Sequence, residues 1–472
     1  MSGKFRIPVA QASPASKSEI VLKKFQKKPL FLRGRLLVHQ MQKLINIKKV
    51  FTADIFKISF LNAIAVLIKM LTGFVSIKAV AYLLGPLGPM GIAMLGQLNN
   101  FTNILLAVSN GGINNGMTRY IAEYSGSEKK YQQFLGTGFW ITAILSVITG
   151  LVLIIGAGYF AQTILKDSQY KSIFYIFGGT IILYAFNTLL ISVINGFKEF
   201  KKYVIANILG SFIGLLFTII LAVNFGIYGA LASAVTYQSV VFLLTLLLVL
   251  NSRWFKIKEI IGKFSKDAAV KLGHYSLMAL IAAIVMPASQ LIIRGYVSRH
   301  NIDEAGLWEG INRISNMYLM VFATSLGVYY LPRLTELNTT AELRAEVFSV
   351  YKLVTPLLLI FSILLYAGRH LVITVLFTQE FAGMEHLFLY QVLGDFFKLT
   401  GWILAYIMIA KSMTKIYILM EFVSSLSQVF FSITLFNYYG TVGATMGYAA
   451  GHLLYLLCMV FIFRRLVFAR PA

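Results

Sequence analysis

The 472-residue chain is 58% apolar and only 13% charged, with a mean hydropathy of +0.75; a single soluble domain and a disordered chain both carry far more charge and are excluded. One cysteine, Cys458, excludes a disulfide framework and a thiolate metal cluster. The net charge of +24 would suggest nucleic acid in a soluble protein, but here 42 Lys and Arg lie between long apolar runs, the pattern of a polytopic membrane protein.

Residues 1–53 differ from the rest. They hold Lys23-Lys24, Lys27-Lys28, Arg33, Arg35, Lys43 and Lys48-Lys49 with three prolines, and no apolar core of secretory-signal type. They read as a flexible basic extension whose stretch near 36–49 lies on anionic lipid as a basic helix, or as a dispensable extension, or as the product of a start placed too early with Met41 as the true one. Beyond it, windows of about 20 apolar residues predict twelve helices: 57–84, 90–110, 134–158, 173–195, 203–224, 228–250, 272–297, 306–330, 351–368, 386–410, 415–436 and 441–463. Loops are short, so neighbours are antiparallel. The expected fold is all-α, with a six-helix bundle over 54–250, a basic linker at 251–271, a second bundle over 272–465 and a tail at 466–472. Sidedness follows from Lys and Arg: with the N-terminus cytoplasmic, the cytoplasmic segments carry 33 and the opposite side 5. Both ends are therefore predicted to be cytoplasmic.

The halves resemble each other at one offset. Gly226-Ile227-Tyr228-Gly229-Ala230 opens the sixth span and Gly440-Thr441-Val442-Gly443-Ala444 the twelfth, 214 residues on; Lys201 matches Lys415, Tyr203 matches Tyr417, Arg119 matches Arg333, and Asn207 meets Glu421. Six spans per copy make the repeat parallel, with an axis along the membrane normal. Two bundles around a central cavity, rocking against each other, is the economical architecture.

Charges within the spans demand a reason, since each costs about 2.5–3.5 kcal/mol at mid-bilayer. In the first span Asn62, Lys69, Thr72, Gly73 and Ser76 share a face, with Lys69 about 18 Å from Lys57; Lys78 points elsewhere and can snorkel. The second span carries Gln97, Asn99, Asn100, Thr102 and Asn103. In the seventh, Pro287 invites a kink two turns before Arg294. The eighth places Glu309, Asn312, Arg313 and Asn316 at i, i+3, i+4, i+7, one polar face. The tenth has Gln391, Asp395 and Lys398, and the eleventh Glu421, Ser424, Ser425 and Gln428. Glu309–Arg313 and Asp395–Lys398 are also spaced as structural ion pairs, and Glu421 also reads as a packed polar residue. His274, His386 and His452 read as interfacial, and Gly210-x-x-x-Gly214 as close helix packing.

Lys69, Lys78, Arg294, Arg313 and Lys398 outnumber Glu309, Asp395 and Glu421 by two, so the cavity is predicted to be electropositive and to favour an anionic substrate over a cationic drug. Arg and Lys are natural phosphate partners. Lys69, Arg294, Arg313, Asn100, Asn312 and Asn316 are the candidate head-group contacts. Glu309, Asp395, Lys398 and Glu421 are candidates for cavity charge or for carrying a coupling proton or sodium ion. No phosphate loop, H-E-x-x-H or G-x-S-x-G occurs, so the chain is expected to be a transporter, with no metal and no cofactor beyond that ion.

Specific residues then resemble a known family. Asp303-Glu304-Ala305-Gly306-Leu307-Trp308-Glu309-Gly310-Ile311, Tyr329-Tyr330-Leu331-Pro332, Gly394-Asp395 with Lys398, Ile409-Ala410-Lys411, and Tyr417-Ile418-Leu419 with Glu421 resemble the Wzx-type lipid-linked oligosaccharide flippases, in particular their lipid III (enterobacterial common antigen) branch. Ser276–Ile281, Lys69, Lys78 and Gly85-Pro86 are also similar, and the resemblance covers 57–465. Arg313 and Asn316 depart from that branch, where a small polar residue and an Asp are expected. The resemblance implies the twelve-span fold of the multidrug/oligosaccharidyl-lipid/polysaccharide exporter superfamily, in the bacterial inner membrane. It implies ATP-independent transfer of an undecaprenyl-pyrophosphate-linked oligosaccharide, for O-antigen or enterobacterial common antigen, from the cytoplasmic to the periplasmic leaflet. A polysaccharide polymerase and a chain-length regulator are the implied protein partners. The rival readings are a cation-coupled multidrug exporter, which predicts a net negative cavity, and a membrane polymerase or glycosyltransferase, which predicts a periplasmic loop longer than 369–385.

Overall fold

The computed structural model describes residues 64–256, 260–337, 339–411 and 413–468. The basic extension, its lipid-binding stretch, Asn62 and the His274 side chain lie outside what is described. The described residues are helical nearly throughout and contain no strand. Eight stretches are long and apolar enough to cross a membrane. Three of them are interrupted: Ile64–Ser109 by a 3-10 turn at Gly85–Leu87, Phe200–Val249 at Gly226, and Thr414–Ile462 at Gly440. Divided there, and with the more polar Ile302–Ser325 included, they supply twelve helices. These are α1 (64–84), α2 (Gly88–Ser109), α3 (Glu128–Ile155), α4 (Lys171–Gly196), α5 (200–225), α6 (227–249), α7 (Lys266–His300), α8 (Ile302–Ser325), α9 (Thr340–Ala367), α10 (Phe388–Ala410), α11 (414–439) and α12 (441–462).

Several helices outrun their apolar windows because polar caps extend them into the loops. α9 starts at Thr340, not near 351, on a capping box in which Thr339 and Glu342 satisfy each other's backbone N–H. α8 starts at Ile302, where the Asn301 side chain accepts from the N–H groups of Asp303 and Glu304 at 2.9 and 3.2 Å. A hydropathy window registers only the apolar part of such a helix. α7 runs unbroken through Pro287. Outward faces are apolar, with Leu216, Ile220 and Val223 on α5 and Leu357, Ile360 and Leu364 on α9 exposed; lipid is the solvent there.

The apolar core is divided unevenly. Toward the face opposite the basic loops, one continuous cluster joins both bundles, with Ile77, Ile92, Phe101 and Phe174 packed alongside Leu307, Ile311, Phe381 and Phe388. Toward the basic face the core splits in two. One cluster holds Met117, Phe134 and Ile194 of the first bundle, the other Tyr330, Leu404 and Met459 of the second. At this face α7 packs on the first bundle: Ala268 and Leu272 join that bundle's cluster, and a Cβ on Gly112 would press on Leu280 and the Ser276 carbonyl. The bundles are thus knit together at one face and separately cored at the other.

Candidate functional site

A cavity of about 280 Å³ lies within the first bundle, lined by α1, α2, α4, α5 and α6, with Arg313 reaching in from α8. The α1 face predicted by helical period supplies Lys69, Thr72, Gly73 and Ser76. Asn99, Asn187, Asn207 and Gln238 add amides, and the Asn187 side chain donates to the Gln238 carbonyl oxygen at 2.7 Å. Two cations and no carboxylate stand among its lining residues.

Three sequence candidates sit elsewhere. Asn100 does not line this cavity; its neighbour Asn99 does, since one residue turns a helix by about 100°. Asn312 is buried and turned into the second bundle: its amide donates to the Trp308 carbonyl of its own helix at 2.7 Å and its oxygen accepts from Gln391 of α10 at 3.5 Å. Asn316 is exposed and lines no described cavity. The polar stripe of α8 straddles the boundary between bundles, so its members face different neighbours.

Arg294 is also placed differently from a free head-group contact. It is buried, with its guanidinium on Glu309 Oε2 and over the Trp308 ring at 5.5 Å. Glu309 Oε1 accepts from Arg313 Nε at 2.8 Å, so one carboxylate bridges two arginines. The first bundle completes the cluster: Gln97 accepts from Arg294 at 3.4 Å and donates to the Leu291 carbonyl at 3.2 Å. Gly96 is required beside it, because a Cβ there would overlap the Glu309 carboxylate. Arg313 Nη2 has no partner among the described residues, and the Arg313 side chain keeps 18% exposure.

The second bundle holds a matching cavity of about 260 Å³, lined by α7, α8, α10, α11 and α12. The repeat offset relates the linings: Asn207, Ser211, Gly214, Gln238 and Val241 line the first, and Glu421, Ser425, Gln428, His452 and Tyr455 the second. Ionisable groups replace amides at two of these pairs. Lys398 lines this cavity without an ion pair among the described residues, its ammonium over Trp402 and Tyr448 at 5.4 and 5.6 Å. Tyr417 lines the cavity one turn before Glu421. His452 lines this cavity, 4% exposed with neither ring nitrogen bonded among the described residues, so it is a cavity residue rather than an interfacial one. His386 is exposed. Sequence reasoning missed His452 and Gln238 as site residues, although the shared offset already linked them.

Asp395 does not pair with Lys398 at the i,i+3 spacing. It accepts from Ser315 at 2.6 Å, from Tyr448 at 2.6 Å and from Tyr318, which ties α10 to α8 and α12. Lys78 does not snorkel: its ammonium donates to the Thr374 and Val375 carbonyls at 3.3 and 2.7 Å, at the C-terminal end of the short helix Arg369–Leu376. Cations are favoured at a helix C-terminus, and this one reaches there from the other bundle. Nearby, a Cβ on Gly306 would overlap the Pro89 carbonyl, so α2 and α8 meet at backbone distance.

Comparison with known proteins agrees with this architecture. The chain is 26% identical over 412 residues to the lipid III flippases of Escherichia coli (strain K12) and Shigella flexneri, covering 87% of this chain and 98% of each relative. In fold it is similar to an inward-facing MATE family multidrug resistance transporter of the MOP superfamily, with a TM-score of 0.72 at 13% identity over 87% of this chain and 100% of that one. A MOP superfamily transporter from Pyrococcus furiosus gives 0.63 at 13% identity, over 87% and 96%. Residues 90–386 match the family described as polysaccharide biosynthesis protein, and the chain belongs to that family.

Proposed function

We propose that the chain is an ATP-independent flippase of the bacterial inner membrane. It transfers an undecaprenyl-pyrophosphate-linked oligosaccharide from the cytoplasmic to the periplasmic leaflet, with the basic face and both termini in the cytoplasm. The observation that carries the reading is the first-bundle cavity. Lys69 and Arg313 face it with no lining carboxylate, amid Asn99, Asn187, Asn207 and Gln238. Cations suit a pyrophosphate, and amides and hydroxyls suit sugar. A cationic drug would meet two like charges there, which disfavours the multidrug-exporter reading despite the shared fold. The relatives named lipid III flippase support a lipid-linked oligosaccharide as substrate.

The bundles over 54–250 and 272–465 are the rocking units in this reading, joined at the periplasmic face and separately cored at the cytoplasmic one. The prenyl tail stays in lipid while the head group crosses. The second-bundle cavity, with Glu421, Lys398 and His452, is the seat of a coupling proton or sodium ion. A polymerase and a chain-length regulator would act on the product outside.

The test is lipid transfer in proteoliposomes holding a short undecaprenyl-pyrophosphate oligosaccharide. Protein-dependent appearance in the opposite leaflet is expected. No transfer across several head groups, alongside gradient-driven dye export, would replace this reading with the drug exporter.

A further inference from the structure

Glu309 lies where the two bundles, the two arginines and the cavity meet. Its carboxylate holds Arg313 through Nε and Arg294 through Nη2. It rests on the backbone of α2 at Gly96, and Gln97 of the same helix bonds both Arg294 and the α7 backbone. Arg313 is the one member of this cluster that lines the first-bundle cavity, and its Nη2 is a buried donor without an acceptor among the described residues. A guanidinium has donors on both edges of its plane. One edge is on Glu309, and the unpartnered corner belongs to a residue facing the space where Lys69 stands.

We propose that Glu309 is an internal counter-ion that the substrate's phosphates displace from Arg313, and that this displacement loosens the α2–α7–α8 junction. This rests on the reading of the cavity as an anionic head-group seat. A diphosphate between Lys69 and Arg313 brings at least two negative charges beside Glu309. Two anions then compete for one guanidinium in a region of low dielectric, where like charges repel strongly. The carboxylate gives way on the Arg313 side and retains Arg294. Because it lies against Gly96, its shift is felt by α2, the helix through which the first bundle grips α7. An empty carrier is thereby held closed at that junction, and the arriving head group unlocks it. Glu309 is a positioning residue here: it acts through Arg313 and does not touch the ligand.

The full chain in lipid nanodiscs provides the test, with farnesyl diphosphate as a short polyprenyl diphosphate probe. Spin labels are placed at Tyr82→Cys and Leu371→Cys in a Cys458→Ser background. Tyr82 and Leu371 are 75% and 67% exposed and lie on opposite sides of the Lys78 contact. The labelled chain is expected to bind the probe and to lengthen its label distance over the same concentration range. Glu309→Gln is expected to bind at least about tenfold more tightly, having lost the competing charge, and to show the longer distance without probe. Glu309→Asp keeps the charge and should retain the short resting distance. Binding with no change of distance in the chain with Glu309 intact overturns the proposal, whether or not Glu309→Gln folds. Unchanged affinity and distance in Glu309→Gln also overturn it while leaving the head-group seat in place. Failure of the unmodified site to bind any polyprenyl diphosphate removes both.

Discussion

Gly226 and Gly440, 214 residues apart, occupy one and the same structural position in the two bundles. Each tips a helical hairpin with a left-handed backbone, φ 57° and ψ −136° in the first and φ 60° and ψ −143° in the second. Three residues on, Gly229 and Gly443 each pass so close to a carbonyl, Leu221 or Leu435, that a Cβ would overlap it. Down the first hairpin Gly210 faces Val241 and Gly214 faces Tyr237; down the second, Gly447 faces Ser432 and Gly451 faces Gln428.

That geometry is reserved for glycine, and a side chain there costs about 1–3 kcal/mol. Gly226→Ala and Gly440→Ala should each lower the thermal midpoint in detergent, and Gly443→Ala should do so further by forcing its helix away from Leu435. Gly179→Ala is the control. Gly179 lies on the exposed face of α4 with nothing near its absent Cβ, so alanine should be neutral or stabilising by up to about 1 kcal/mol. Equal effects at Gly179 and Gly440 would remove the conformational explanation.

Much of this was legible because periodicity and repetition are local or internal to the sequence. The 214-residue offset located both hairpin glycines, and helical spacing alone put Lys69, Thr72, Gly73 and Ser76 on one cavity face. What the sequence leaves open is which of two polar faces meets which neighbour. The i,i+4 spacing was enough for Glu309 and Arg313, but Asp395 has three hydroxyl donors on other helices, and Lys398 has no ion pair among the described residues. Arg294 reads as a free cation until α8 is packed against it and Glu309 pairs with it. Lys78 finds its carbonyls 296 and 297 residues away, a partnership no local pattern encodes.

Lys78 gives the next test. Its ammonium joins α1 to the carbonyl end of Arg369–Leu376 and so ties one bundle to the other. A cation at a helix C-terminus contributes about 0.3–1 kcal/mol. Lys78→Met should therefore lower stability by that order and make a cysteine placed at Thr374 react faster with an impermeant maleimide. Lys78→Arg, which still donates, should restore protection. Unchanged labelling in Lys78→Met would show that the contact does not hold the bundles together.

Arg313 and Lys69 are the two cations lining the first-bundle cavity, and they should differ in kind. Arg313→Ala should abolish flipping with insertion into the membrane intact, because it removes the proposed head-group donor and leaves Glu309 with one partner. Arg313→Lys should not rescue fully, since an ammonium cannot hold a carboxylate and present a second edge in one plane. Lys69→Gln keeps hydrogen bonding and should reduce the flipping rate without abolishing it. Normal flipping in Arg313→Ala would remove that residue from the site.

The two carboxylates of the second bundle should separate cleanly. Asp395 is saturated by Ser315, Tyr318 and Tyr448, and it ties three helices together. Asp395→Asn turns an all-acceptor group into one that also donates, against hydroxyls already oriented to give. Each hydrogen bond lost to a charged partner costs about 1.5–3 kcal/mol, so this variant should be destabilised. Whatever protein survives should flip with an undiminished response to an imposed ion gradient. Glu421 instead borders an open volume with Lys398 and His452. Glu421→Gln should fold normally and, if Glu421 is the proposed ion-coupling group, lose that response. Flipping rates in proteoliposomes with and without proton and sodium gradients decide the matter. A full gradient response in Glu421→Gln, or its loss in well-folded Asp395→Asn, would reverse the two assignments.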